Sequence, residues 1–134
     1  MRARNAPRVL LVDDDEYVHR IVRRTLAFVP AEVEATDSGA AAIRSARKKR
    51  YDLVLLDLGL PDTDGWTVLE ELRRIPALHA TPVVVVSGLV GYPSGRAATV
   101  AAYLVKPIRT TELLRVVRAL LSDRARPGSP ALSA

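Results

Sequence analysis

Five polar side chains directly follow short apolar runs in this sequence of 134 residues: Asp13, Asp14, Asp57, Ser87 and Lys106. Such runs are typical of strands that are buried on both faces of a parallel sheet. The carboxyl ends of parallel strands lie at one edge of an open sheet, where ligands bind. If these ends meet, three carboxylates, a hydroxyl and an ammonium group share one cleft.

Such a cluster of acids calls for a cation. Two carboxylates about 5 Å apart, at an effective dielectric constant of about 20, repel each other by about 3 kcal/mol. Oxygen ligands without His or Cys select a hard ion, usually Mg²⁺. Beside a lysine and a hydroxyl, that ion suits a phosphoryl group, and a carboxylate can itself form an aspartyl phosphate. Asp57, which ends the central apolar run, is the candidate nucleophile.

The elements that must position these side chains alternate between strands and helices. Apolar runs predict strands over residues 8–12, 31–36, 53–56, 83–86 and 102–105. Apolar residues at helical spacing predict helices over residues 17–29, 39–47, 65–75 and 110–121. This alternation predicts an α/β fold, a doubly wound five-stranded parallel sheet with helices on both faces.

Several polar residues have a structural interpretation at the element ends. Asp15 and Glu16 can cap the first helix, and Ser38 can cap the second. Asp62 and Asp64 are expected to form the turn before the third helix. His19, His79 and Trp66 carry no functional pattern: the histidines are expected at the solvated surface, and the tryptophan in packing or at a helix start.

The composition sets limits on the class of protein. Apolar content of 49% and charged content of 26% are typical of one ordinary globular domain. Cysteine is absent, so disulfides and zinc–thiolate sites are excluded, and no apolar run is long enough to span a membrane. The net charge of +5 includes the cluster "RSARKKR", for which a solvated helix end is the favoured interpretation and an acidic partner the alternative.

The segments "LLVDDDE", "LVLLDLGLPDTDG", "VVVVSG" and "YLVKPI" together resemble the receiver domain of bacterial two-component response regulators. The resemblance implies a flavodoxin-like fold with strand order 2-1-3-4-5 and a receiver domain over residues 8–121. Residues 1–7 would form an N-terminal arm and residues 122–134 a flexible tail. It also implies a cytoplasmic phosphoprotein of phosphorelay signalling that assists its own phosphorylation and dephosphorylation but is not an enzyme.

Roles for individual residues follow from this resemblance. Asp57 would accept a phosphoryl group from a sensor histidine kinase or a phosphotransfer protein. Asp14, Asp57 and the backbone carbonyl of Gly59 would ligate Mg²⁺ directly, and Asp13 would hold the ion through water.

The resemblance assigns the remaining site residues to phosphoryl binding and to signal transmission. Ser87 and Lys106 would bind the phosphoryl group, with Ser87 and Tyr103 acting as the switch. The bond between Lys106 and Pro107 is expected to be cis. The downstream partner would be an unidentified protein or output domain, with a homodimer possible. A membrane partner is not expected, and DNA binding by this chain would rest on net charge alone.

The sequence departs from the family pattern before the fifth strand. The segment "GYPSG" lies where the fourth helix of a receiver begins, so that helix is expected to be short or irregular. Gly59 also replaces a larger side chain, which leaves the acceptor more open.

Two further function classes remain as alternatives. One is a pseudo-receiver that is not phosphorylated and acts as a protein interaction module. The other is a phosphohydrolase that works through an aspartyl phosphate. The latter usually has a second acid two residues after the nucleophile, where this chain has Gly59. A dinucleotide-binding fold is disfavoured, because no Gly-x-Gly-x-x-Gly follows the first strand.

Overall fold

The computed structural model describes residues 6–88 and 100–125, in which five strands form one parallel sheet. The strands are β1 (Arg8–Val12), β2 (Glu32–Thr36), β3 (Leu53–Leu56), β4 (Val83–Ser87) and β5 (Ala102–Val105). Their spatial order is β2-β1-β3-β4-β5. The predicted doubly wound fold and its strand order are therefore confirmed.

Helices cover both faces of this sheet. They are α1 (Glu16–Leu26), α2 (Gly39–Lys48), α3 (Gly65–Arg73) and α4 (Thr110–Ala125), and a short 3-10 helix (Pro76–Leu78) follows α3. Of the helices in the described residues, none is long and apolar enough to cross a membrane. The short or irregular helix predicted between β4 and β5 falls on residues 89–99, which lie outside the described residues.

The sheet is buried on both faces, so the chain has two hydrophobic cores. Alternate residues of β3 point to opposite faces: Val54 and Leu56 pack with α2 and α3, whereas Leu53 and Leu55 pack with α1 and α4. All four of these side chains are fully buried. An apolar run without polar alternation is what this double burial requires, which is why β3 could be predicted to the residue.

Two helices end earlier than the sequence predicted. α1 stops at Leu26 rather than at residue 29, because the amides of Phe28 and Val29 bond to carbonyls three residues back instead of four. α3 stops at Arg73 rather than at residue 75, and the amide of Ile75 makes the same kind of bond. A proline follows each segment and disfavours helical geometry in the residue before it, so the chain leaves the helix early.

β4 and α4 are longer than predicted. β4 includes Ser87, which pairs with Val105 in the register of β5. α4 continues to Ala125, four residues beyond the predicted end, so residues 122–125 belong to the helix and not to the tail. Leu121 is the last buried residue among the described side chains of α4. The last turn therefore continues the helix without the apolar pattern from which its end was predicted.

The predicted caps form at α1 and α2, and Asp64, which was predicted as a turn residue, caps α3. Asp15, Ser38 and Asp64 accept hydrogen bonds from backbone amides in the first turns of α1, α2 and α3. Asp62 does more than the predicted turn formation, because its carboxylate accepts hydrogen bonds from the amides of Gly39 and Ala40 at 2.9 and 3.0 Å. These two bonds, that of Gly39 first, lower the pKa of Asp62. The loop after β3 is thereby joined to the start of α2.

A buried tyrosine stabilises the edge strand β2. The Tyr51 hydroxyl donates to Glu34 Oε1 at 2.8 Å, and the Lys49 ammonium group donates to the same oxygen at 3.1 Å. Burial raises the pKa of Glu34, but these hydrogen bonds outweigh burial and hold the pKa below its usual value. The Tyr51 ring is 3% exposed, so its hydroxyl reaches the acid from within the core.

Replacing Tyr51 with Phe is expected to lower the free energy of unfolding by about 1–2 kcal/mol near neutral pH, because Glu34 loses a hydrogen bond. Since the pKa of Glu34 is lowered in the folded state, its contribution to stability is present above the pKa of the unfolded chain and is lost as pH falls through the lower pKa of the folded state. Urea unfolding should therefore show the difference from wild type shrinking in acid. Tyr17→Phe, at a residue that is 58% exposed, is the control, and a difference independent of pH would contradict the prediction.

Candidate functional site

The carboxyl ends of four strands bring the predicted site residues to one edge of the sheet. Asp13 follows β1 and Asp57 follows β3, and the Asp57 amide donates to the Val12 carbonyl at 2.9 Å. Ser87 ends β4 and Lys106 follows β5, joined by a hydrogen bond of 2.9 Å from the Lys106 amide to the Ser87 carbonyl. The sheet's own hydrogen bonds therefore fix the backbone of the site.

Three carboxylates meet at this edge. One oxygen from each of Asp13, Asp14 and Asp57 lies within 4.8 Å of the other two. Asp13 is 1% exposed and Asp57 is 7% exposed, whereas Asp14 lies at the surface. The group therefore has a buried floor and one exposed side, from which a ligand can approach.

Lys106 provides a fixed positive charge within this group. Its Nζ atom lies 2.9 Å from Asp13 Oδ2 and donates a hydrogen bond of 3.4 Å to Asp57 Oδ2. The contact with Asp13 is a close ion pair, so this buried carboxylate faces the ammonium group directly. One lysine thus contacts two of the three acids.

The charges in this cluster affect one another. Burial raises the pKa of Asp13, and the negative charge of Asp57 adds to that effect, which exceeds the lowering by Lys106 and by the Asp15 amide. Burial alone would lower the pKa of Lys106, but its contacts with Asp13 and Asp57 raise it above its usual value. The lysine is therefore charged at neutral pH, whereas burial disfavours the charged form of Asp13.

The residues present fit a hard divalent cation. The donors are carboxylate oxygens, without nitrogen or sulfur ligands, which suits Mg²⁺. One oxygen from each of the three acids lies within 4.8 Å of the other two, which is close enough for them to share one cation. Gly59 is exposed two residues after Asp57, and its amide donates to Asp57 Oδ1 at 3.3 Å.

The two residues predicted as the switch lie on neighbouring strands. Ser87 is 1% exposed at the end of β4, beside the acids. Tyr103 pairs with Val85 in the register of β5, and its half-buried side chain packs against the core formed by α2 and α3. The bond between Lys106 and Pro107 is cis, which confirms that expectation.

His19 contradicts the expectation of a solvated surface residue. Its side chain is 13% exposed, and its Nε2 atom is hydrogen-bonded to the backbone carbonyl of Asp13. The only sequence signal was a position on the first turns of α1, six residues after Asp13, and that spacing has no general meaning. His79 is exposed, as predicted, and Trp66 packs in the core with 9% exposure.

Gly65, the first residue of α3, packs against the backbone of the proposed acceptor. A Cβ atom at this position would lie 2.5 Å from the Asp57 carbonyl oxygen and 2.6 Å from the Leu58 Cα atom. Both contacts are with backbone, which cannot move aside as a flexible side chain would. This close approach explains why the turn after β3 ends in glycine.

Gly65→Ala is expected to lower the free energy of unfolding by about 3 kcal/mol, because the added methyl group overpacks against fixed backbone. Gly59→Ala is the matched control, since a Cβ atom there meets nothing within 4 Å. The control should change stability by less than about 0.5 kcal/mol. Urea unfolding of both variants measures the difference, and equal stabilities would show that the contact at Gly65 relaxes easily.

Comparisons with known proteins agree with this arrangement. The sequence profile of the response regulator receiver domain matches residues 9–118. The transcriptional regulatory protein PrrA of Mycobacterium tuberculosis is 39% identical over 131 residues, which are 96% of this chain and 54% of PrrA. ResD of Bacillus subtilis is 33% identical over 121 residues, 87% of this chain and 49% of ResD. The chain thus spans about half the length of these curated relatives.

Solved structures show the same fold. The receiver domain of sensor histidine kinase PA1611 from Pseudomonas aeruginosa, which has a magnesium ion coordinated in its active site cleft, superposes with a TM-score of 0.78 at 27% identity, covering 87% of this chain and 98% of that domain. The chemotaxis response regulator CheY4 of Vibrio cholerae gives 0.79 at 26% identity, covering 86% and 98% of the two chains. Because profile, relatives and fold agree over most of its length, the chain belongs to the response regulator receiver domain family.

Proposed function

We propose that this chain is a phosphorylatable receiver in which Asp57 accepts a phosphoryl group from a histidine kinase or a phosphotransfer protein. The observation that carries the proposal is the contact of one ammonium group, Lys106 Nζ, with both Asp13 and Asp57 inside a three-carboxylate cluster. A structural salt bridge needs one acid, whereas a phosphoryl-transfer site needs a nucleophile with compensating positive charge beside it.

The proposed reaction is a phosphoryl transfer to a carboxylate. An Asp57 oxygen attacks phosphorus and forms the acyl phosphate bond, while the bond from phosphorus to the donor breaks and the donor keeps the electron pair. Lys106 is already within reach of Asp57 and would compensate negative charge on the phosphoryl oxygens. Ser87, buried at the end of the neighbouring strand, would donate a hydrogen bond from its hydroxyl group to one of these oxygens.

The same edge would hold the cofactor. Asp14, Asp57 and the Gly59 carbonyl would ligate Mg²⁺ directly, and Asp13 would hold it through water. When bound, Mg²⁺ supplies positive charge that draws electron density from the phosphoryl group. The magnesium ion coordinated in the active site cleft of the PA1611 receiver domain supports this assignment.

Signal output is proposed to pass through Ser87 and Tyr103. A phosphoryl group that engages Ser87 at the end of β4 would change the packing of Tyr103, which lies on the adjacent strand β5. The relatives PrrA and ResD are transcriptional regulatory proteins. We therefore expect the change to be read in the cytoplasm by an output domain or a separate protein, with homodimerisation as one possible form of output.

Mass spectrometry with a small phosphodonor tests the proposal. Wild-type protein incubated with acetyl phosphate and Mg²⁺ should gain the mass of one phosphoryl group, and EDTA should prevent the gain. Borohydride reduction converts an acyl phosphate to the alcohol, so peptide mapping should place the modified residue at Asp57. The absence of any gain, or a gain at another residue, would contradict the proposal and favour the unphosphorylated interaction module.

A further inference from the structure

We infer that His19 is a positioning residue for the proposed Mg²⁺ site, because it holds the Asp13 carbonyl and thereby directs the carboxylate of Asp14. The inference rests on the proposed function but concerns a residue outside the set that the sequence assigned to the site. Through this contact, α1 affects the metal site although it supplies no proposed ligand.

The geometry of the imidazole ring defines the contact. A carbonyl oxygen can only accept a hydrogen bond, so Nε2 of His19 carries the proton that it shares with Asp13. The Nδ1 atom lies 3.9 Å from Glu16 Oε1 on the same helix. The side chain is 13% exposed, so little solvent competes for the ring. The ring of His19 therefore lies between Glu16 on its own helix and the end of β1.

Asp14 is the acid whose side-chain direction depends most on the contact made by His19. Asp13 is buried and accepts from the Asp15 amide at 2.9 Å, and Asp57 accepts from Gly59 and from Lys106. Among the described residues, the exposed Asp14 side chain has no hydrogen bond or ion pair that would fix its direction.

The direction of Asp14 is therefore set by its backbone. The Asp13 carbonyl and the Asp14 Cα atom belong to one planar peptide unit, so a hydrogen bond to that carbonyl limits rotation of the unit. A peptide unit that cannot rotate limits the direction in which the Asp14 side chain points from the backbone. Outer contacts that orient ligands in this way typically change metal affinity by about 10–100-fold.

Two substitutions separate positioning from packing. His19→Phe keeps an aromatic ring but removes the hydrogen-bond donor. We expect this variant to bind Mg²⁺ about tenfold more weakly than the wild type. Calorimetric titration without a phosphodonor, at one fixed pH, measures the affinity. His19→Gln keeps an N–H donor at a similar distance from the backbone and should bind Mg²⁺ as the wild type does. Urea unfolding without Mg²⁺ should give similar stabilities for the two variants.

Phosphorylation gives a second measure of the same effect. With acetyl phosphate, the Mg²⁺ concentration for half-maximal rate should rise about tenfold in His19→Phe, while the rate at saturating Mg²⁺ stays near that of the wild type. If His19 had a purely structural role, its loss would lower stability without raising the Mg²⁺ requirement while leaving the rate at saturating Mg²⁺ unchanged. If the Phe variant does not fold, His19→Asn, whose amide is one bond shorter, should bind weakly where His19→Gln does not.

The outcomes distinguish this inference from the proposed function. If the wild type binds Mg²⁺ and His19→Phe binds it with the same affinity, the role of His19 is overturned and the receiver function stays intact. Equally weak binding by the Phe and Gln variants would also overturn it, because the hydrogen-bond donor would then not be the relevant feature. Failure of the wild type to bind Mg²⁺ would overturn both.

Discussion

Asp57→Asn is expected to abolish phosphorylation by acetyl phosphate, so that the intact mass stays unchanged under conditions that modify the wild type. The amide is nearly the same shape, and its oxygen can still accept from the Gly59 amide, as Asp57 Oδ1 does at 3.3 Å. It has no negative charge, however, and is not a nucleophile toward phosphorus. The loss should therefore be complete without loss of the fold.

Asp52→Asn is the matched control for this substitution. Asp52 flanks the amino end of β3, opposite to Asp57, and its carboxylate accepts from the Arg8 amide at 2.8 Å. An asparagine oxygen can replace that acceptor, so the control should gain a phosphoryl group as the wild type does. Phosphorylation of Asp57→Asn to the wild-type extent would exclude Asp57 as the acceptor.

Lys106→Met is expected to produce two opposite changes. The rate of phosphorylation should fall about 100- to 1,000-fold, because a fixed positive charge beside the reacting oxygens is lost. The affinity for Mg²⁺ should rise, because Lys106 Nζ now occupies part of the acidic cluster, 2.9 Å from Asp13 and 3.4 Å from Asp57. Methionine preserves most of the side-chain volume, so the comparison isolates the charge.

Rate and affinity are measured separately, by mass spectrometry over time and by calorimetry without phosphodonor. Lys49→Met removes a lysine that pairs with Glu34 on β2, and it should change neither quantity. Weaker Mg²⁺ binding in Lys106→Met would contradict competition between the ammonium group and the cation. An unchanged rate would mean that Lys106 does not stabilise the transferred group.

The parts of this protein that could be predicted are those in which one physical requirement decides the residue type. A strand buried on both faces must be apolar throughout, so β3 was predicted to the residue. Parallel strands bring their carboxyl ends together, so the meeting of Asp13, Asp57 and Lys106 followed from the strand pattern alone.

Other features depend on distances in three dimensions, which local patterns do not contain. His19 contacts the Asp13 carbonyl because the first turns of α1 fold back on the end of β1, and its sequence neighbours give no sign of this contact. A proline sets only an outer limit for a helix, so the ends of α1 and α3 were placed too late. The end of α4 was placed too early, because three polar residues follow Leu121 and interrupt the apolar pattern.

The link between Asp62 and the start of α2 has a consequence for how the domain acquires its structure. α2 ends before Asp62 is reached along the chain, yet the amides of Gly39 and Ala40 are satisfied by that carboxylate, 23 and 22 residues later. A fragment that stops at β3 would therefore keep the Ser38 cap of α2 but would lack the acceptor for the amides of Gly39 and Ala40. We therefore expect the start of α2 to gain its full set of hydrogen bonds only after β3 and the loop that contains Asp62 have formed.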